Sequence, residues 1–509
     1  MGGWNNPQSG CAISARRTED GVGTRSASGL GERFEVDRKR AGPDRSGRAA
    51  PTRIASGGGN GPLLTLLVAV ALVLASSAAA LDRARGANAS AGERPPTLRE
   101  EVAFEPAGSE REPNFGRGVA IAGSAVVVAC PREGDGGTAG GTAHVFGESK
   151  RGWRRTQRIR STTPDAHDHF ACAIAADGTR IVVGRDRAEG GSGSTGGFSG
   201  AATVYRRVGL HFQQEADLTH PTPAAGDEFG AAVAIHGALI AVGSPRDDEG
   251  ATDAGSVHLW ALRDGTWMPE GELRAPDPHV ADWFGSAVAV HGDWVAVGAY
   301  GADPQGEKSG AVYLFQRGES GWSLQMKLAP RELKAGDWFG FSLSIDGNWL
   351  AVGAPRDDSA AESSGLVRLF EHRGDEWLMS ATLLPPAGSV TAWFGYALAL
   401  DRDRLLIGAP GDDTGADSAG IATLFERRNG NWVARAQLAA SSPRPEERFG
   451  SSVDLRDDRM MVGRYASEDE PVGMPKAWLF RLRADSANSA SPATHDRIRP
   501  GDPEPGGAS

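Results

Sequence analysis

The carboxylates are the side chains in this sequence best placed to do chemistry. Acidic loops follow several short apolar runs: Asp247-Asp248, Asp303, Asp357-Asp358 and Asp412-Asp413, with Asp135, Asp186 and Asp469 in related positions. Oxygen clusters suit hard cations, and summed negative charge steers basic partners, so one reading is an acidic ligand or cation face. The other reading is that each Asp caps a turn through its own side-chain oxygen, because two adjacent carboxylates fall well short of the roughly six to eight oxygens of a calcium shell. Trp283, Trp338 and Trp393 recur at one spacing and offer rings either for stacking a sugar or for filling junctions between packed sheets. None of the eleven histidines stands with a Ser or Cys in a nucleophile motif, and there is no Gly-rich phosphate loop. The His236-Gly237 and His291-Gly292 pairs read as surface turns. No catalytic, cofactor-binding or metal residue is singled out.

What positions these residues is a repeat. Phe115, Phe170, Phe229, Phe284, Phe339, Phe394 and Phe449 are spaced by 55, 59, 55, 55, 55 and 55 residues. Within the unit that begins at Phe284-Gly285, four apolar runs are separated by turn residues: 287–290, 294–297, 310–315 and 322–328. Each has the length and alternation of a strand. Four antiparallel strands repeated seven times describe an all-β fold, a seven-bladed β-propeller of four-stranded blades. Only six outer strands lie between the Phe-Gly marks, starting at Trp153, Leu210, Trp267, Trp322, Trp377 and Trp432. The missing one is supplied from the N-terminal side: residues 97–105 are expected to be the outer strand of the last blade, closing the ring and protecting its edge.

The Phe339-Gly340 and Phe394-Gly395 pairs, with Gly353-Ala354-Pro355 and Gly408-Ala409-Pro410 after the second strand, resemble the FG-GAP repeats of the integrin α-subunit propeller and its bacterial relatives. The resemblance covers residues 97–483. It departs at Ala171, which replaces the motif glycine, at Gly184-Arg185-Asp186 and Gly463-Arg464-Tyr465, and at Ala129-Cys130-Pro131, so blades one, two and seven are expected to be less regular. Integrin-like propellers often carry an Asp-x-Asp-x-Asp-Gly calcium loop between the first and second strands. Here that place holds only short turns, such as His291-Gly292-Asp293 and Asp346-Gly347-Asn348, too short to wrap a calcium ion, so the family's calcium residues are not carried across. The resemblance also places Cys130 and Cys172 at neighbouring corners of adjoining blades, where they form either a disulfide or two small buried thiols.

Charge and composition narrow the function. With 54 Lys+Arg against 65 Asp+Glu, a formal charge of −11 and 70 glycines, the chain is acidic and turn-rich, which disfavours a nucleic-acid surface. Residues 1–61 lack apolar periodicity and are expected to be disordered, as is the 484–509 tail. Leu63 to Ala75 is an apolar run followed by small residues, so 62–80 reads as a signal peptide, or alternatively a signal anchor, with 81–96 as linker. The chain is then exported, secreted or held at the cell surface. The implied function is a monomeric propeller that binds an extracellular protein or glycan. The alternatives are a propeller-based carbohydrate-active hydrolase and a structural envelope protein.

Overall fold

In the computed structural model the described residues are 97–98, 100–105, 114–133, 140–162, 168–188, 197–386, 389–465 and 477–482. The expected N-terminal extension, signal segment, linker and C-terminal tail lie outside them, as do Asp135 and Asp469. Among the described residues no helix is long and apolar enough to cross a membrane.

Seven antiparallel sheets are arranged as a ring of blades. Blade four, Ala287–His291, Trp294–Ala299, Ala311–Gly318 and Gly321–Leu328, is ordered as in the sequence, from the inner strand to the outer one. Its first two strands pair Ala287 with Gly298 and His291 with Trp294, which leaves a two-residue turn. The turn begins on Gly292 at φ 58°, a left-handed conformation that glycine adopts without a Cβ penalty.

The seven repeat phenylalanines are all fully buried. Phe284 packs with Ala299, Tyr313 and Phe315 of its own blade and with Leu259 and Leu273 of blade three, so it is the wedge between two sheets. Burying one such ring contributes about 1.5–3 kcal/mol. The motif glycines explain how the backbones approach so closely. A Cβ on Gly298, in the second strand of blade four, would lie 2.1 Å from the carbonyl oxygen of Gly340 in the Phe-Gly of blade five.

The last blade contains Phe449–Arg456, Arg459–Arg464 and Ala477–Arg481, with Val102–Phe104 antiparallel on its outer edge in the register Val102 to Leu479 and Phe104 to Ala477. One expectation is corrected. Residues 97–105 are not a single strand: Thr97–Leu98 instead run parallel to the outer strand of blade six, opposite Gln437 and Leu438. The apolar contact explains the division, since Leu98 packs against the blade six and seven cluster that holds Leu438 and Phe449. The chain then steps to the neighbouring edge, where the Glu101 amide donates to the Leu479 carbonyl at 2.8 Å.

The less regular blades are those the sequence marks. The inner strands of blades one and two, Val119–Ala122 and Ile174–Asp177, have four residues where blade four has five, and blade seven has a bulge between Phe449 and Ser452.

Candidate functional site

The acidic loops and the three tryptophans emerge on one face of the propeller, formed by the loops after each second strand and by the connections between blades. The acidic loops are built alike. Asp247, Asp357 and Asp412 are buried, and each accepts a backbone N–H two residues ahead: Glu249 at 2.8 Å, Ser359 at 2.7 Å and Thr414 at 2.8 Å. Asp248, Asp303, Asp358 and Asp413 are exposed, and each accepts the amide five residues ahead, at 2.6 to 2.9 Å. These oxygens organise their own loops, as the turn-capping reading requires. The structure distributes the seven acids over four blades and does not bring them together. Where the first Asp is missing, Ala188 and Ala302 stand in its place and the loop still closes through its backbone, with Gly200 and Gly310 donating to their carbonyls.

On this same face the three tryptophans form a shared feature. Each is the residue before a Phe-Gly and each is left-handed, with φ of 53°, 59° and 54° at Trp283, Trp338 and Trp393. A bulky residue in that region costs about 1–2 kcal/mol. The conformation is imposed from both sides: the Trp338 amide donates to the Lys308 carbonyl of the preceding blade at 3.2 Å, and the Phe341 amide donates to the Trp338 carbonyl at 3.1 Å. The rings continue as an arc. Centroids lie 4.9 Å apart for Trp283 and Tyr300, 5.5 Å for Tyr300 and Trp338, 5.1 Å for Phe341 and Tyr396, and 6.4 Å for Trp393 and Tyr396. Tyr300, Phe341 and Tyr396 are buried, and burial holds the Tyr396 phenol well above its usual range. The tryptophans therefore fill the junctions of blades four to six while remaining half-buried. Beside them, Val280 and Val390 are 70% and 52% exposed, three residues before Trp283 and Trp393. Arg356 lies 4.6 Å from the Trp338 ring centre and Lys308 lies 5.0 Å from that of Trp283. Sequence reasoning named the tryptophans but missed Tyr300, Phe341 and Tyr396: Phe341 and Tyr396 share the position after the Phe-Gly pair, which is aromatic in those two units alone, and Tyr300 stands where the motif has its proline.

A second group was missed entirely. Among the described residues, His220, Asp247 and His258 are the group of His, Cys, Asp and Glu side chains close enough to share an ion. His258 occupies a third-strand position facing the Phe wedge, where the other blades have His144, Thr203, Tyr313, Arg368, Thr423 and Trp478. That position varies from blade to blade in an otherwise apolar run, a signal that marks His258 but not its meeting with His220 and Asp247. In blade one, the acid matching Asp247 is Glu133, which contacts His144 at 2.5 Å and is bound by Arg158.

The structure adds to two further readings. The His236 and His291 turns lie at the surface and are tied to each other: their rings stack at 4.3 Å, and His236 Nδ1 accepts the Gly292 amide of the next blade at 3.1 Å. Of the two alternatives for Cys130 and Cys172, the structure has the two thiols. Cys130 is buried in the blade seven and one cluster with Phe115 and Val128, whereas Cys172 Sγ accepts the Asp186 amide at 3.3 Å and faces the Gly230 carbonyl oxygen of blade three at 3.5 Å.

The family model described as FG-GAP repeat matches residues 212–260, 267–315, 322–370 and 377–425. Each matched segment starts in the outer strand of one blade and ends in the third strand of the next, so the sequence unit straddles two blades. Among solved structures the chain is similar to one from the "Crystal Structure of Mitotic Checkpoint Complex", at 12% identity and a TM-score of 0.46, over 77% of this chain and 97% of that one. The four matched segments are FG-GAP repeats, and they form the middle of a seven-bladed β-propeller.

Proposed function

We propose that this propeller is a binding module of an exported protein, which engages an extracellular protein or glycan through the loop face of blades four to six. The observation that carries the reading is the left-handed Trp283, Trp338 and Trp393, half-buried over an aromatic arc and rimmed by the exposed Val280 and Val390. An apolar rim that costs backbone strain to present, beside cations resting on the rings, is suited to stacking and apolar contact with a ligand. The cavity at the central channel is lined by residues of every blade, mostly small or apolar ones such as Ala173, Ala232, Ala287 and Ala397, together with Arg117, Ser342 and Ser451, and its described lining includes no carboxylate. This favours recognition on the face over acid–base chemistry in the channel. An unbiased glycan array and a pull-down with the purified chain test the proposal. Saturable binding is expected. Turnover of a chromogenic glycoside or ester, lost on changing a single carboxylate, would overturn it.

A further inference from the structure

Side chains from three separate segments meet in the wedge between blades two and three. His220 comes from the connection leaving the outer strand of blade two, Asp247 opens the acidic loop of blade three, and His258 lies on that blade's third strand. All three are buried, at 4%, 4% and 2% exposure. His220 Nε2 is 2.8 Å from His258 Nε2 and 3.1 Å from Asp247 Oδ2. Ser256 Oγ donates to the same Oδ2 at 2.7 Å and lies 3.1 Å from His258 Nε2. We propose that His220, Asp247 and His258 bind one divalent transition-metal ion of the zinc class, with Ser256 Oγ beside the fourth position.

The donor set selects the metal. Two imidazoles and one carboxylate suit zinc and its neighbours, whereas calcium and magnesium require an oxygen shell that this wedge does not supply. Zinc ligands stand at about 2.0–2.1 Å from the ion, so a tetrahedral arrangement separates them by roughly 3.2–3.4 Å. The His220 to Asp247 distance is close to this already. The two imidazole nitrogens, which can share only a single proton at their present separation, must part by a few tenths of an ångström.

Charge supports a dication. Arg274 donates to both Asp247 oxygens at 3.2 and 3.0 Å, and it also binds Glu249 at 2.8 Å and contacts Glu272. Glu249 and Glu272, exposed at the rim, share this guanidinium with Asp247, so Arg274 only partly neutralises the buried Asp247 carboxylate. The proton count closes without release. His220 Nδ1 accepts the Thr222 amide at 3.2 Å, so the neutral ring carries its proton on Nε2. On metal binding that proton passes to Nδ1 and the Thr222 amide bond is given up. Blade one has the matching acid and histidine, Glu133 and His144, but among the described residues no second imidazole, and both Arg158 and Arg160 contact the acid, so the same argument assigns no ion there.

The test uses the full chain after chelator treatment and dialysis. Zinc is titrated while bound metal and melting temperature are followed, and cobalt is added separately for its visible ligand-field bands. One zinc per chain, a rise in melting temperature with zinc but not with calcium, and a cobalt spectrum of nitrogen and oxygen ligands are expected. In H220Q and H258Q, binding should weaken at least 100-fold and the zinc-dependent rise should vanish. No zinc on the wild-type chain, or an undiminished zinc shift in the H220Q/H258Q double variant, would overturn the site. If the variants fail to fold, the wild-type cobalt spectrum decides: absent ligand-field bands overturn the proposal and nitrogen-ligated bands uphold it.

Discussion

Gly463, in the second strand of blade seven, packs against Gly116 of blade one so closely that a Cβ on Gly463 would lie 2.1 Å from the Gly116 carbonyl oxygen. The same contact joins Gly184 to Gly230, Gly243 to Gly285, Gly298 to Gly340, Gly353 to Gly395 and Gly408 to Gly450. At the junction of blades one and two the corresponding pair is Ala129 and Ala171, both in one core cluster. The two departures from the motif, 42 residues apart in the sequence, are therefore the two sides of one interface.

This interlock predicts a contrast between two glycines of blade four. In G298A the new methyl meets the backbone of blade five, which no rotamer change can relieve, and the loss should be about 3 kcal/mol or more. In G292A nothing lies within 4 Å of the new Cβ, so only the left-handed backbone is penalised, by about 1–2 kcal/mol. Denaturant unfolding of the two variants measures both. Equal losses would show that the close approach is not the constraint.

The outer edge of blade seven gives the second prediction. Phe104 is 3% exposed, with its ring 4.7 Å from that of Phe146 and 5.7 Å from that of Trp153. F104A should cost about 3–5 kcal/mol, and removal of residues 97–105 should lower the melting temperature at least as much, because it bares the Ala477–Arg481 edge. A chain starting at Asn114 that melts like the intact one would refute closure by this strand.

The propeller was legible because the repeat imposes the same apolar periods seven times, and register follows once Phe, Gly and the turns are aligned. What was not legible depends on contacts between units. The division of residues 97–105 is decided by the docking of Leu98, and the tie between His236 and His291 by the ring placing consecutive turns side by side. His220 and His258 are 38 residues apart and belong to different blades. Their meeting requires the fold first, which no local motif announces.

Asp337 gives a pH dependence with a definite sign. It is 2% exposed, and burial, with Asp357 and Asp358 nearby, raises its pKa to about 6, against roughly 3.9 when unfolded. Between these values the folded chain holds more protons, so this group adds stability as pH falls from 6 to 4 and costs stability above 6, at up to ~1.4 kcal/mol per pH unit. Asn can still accept the Lys334 amide that Asp337 accepts at 2.6 Å. D337N should thus be more stable than the wild type at pH 8 and equal to it near pH 4, as thermal melts across that range would show. A difference that is the same at both pH values would contradict the assignment.

The acidic loops predict indifference to calcium. Since Asp247, Asp357 and Asp412 already accept amides of their own loops, and their exposed neighbours do the same, calcium added to chelator-treated protein should leave the melting temperature nearly unchanged. A large calcium-dependent rise would make these loops metal sites.

The central claim is that the loop face of blades four to six binds the ligand, and affinity measured on paired surface variants tests it most directly. Val280 and Val390 are exposed enough for V280D and V390D to leave the melting temperature unchanged, as should L210D on the opposite, hairpin face, where Leu210 is 57% exposed. For a ligand captured by the wild-type chain, we predict at least a tenfold loss of affinity in V280D and V390D and full retention in L210D. Unchanged affinity in V280D and V390D would contradict the account.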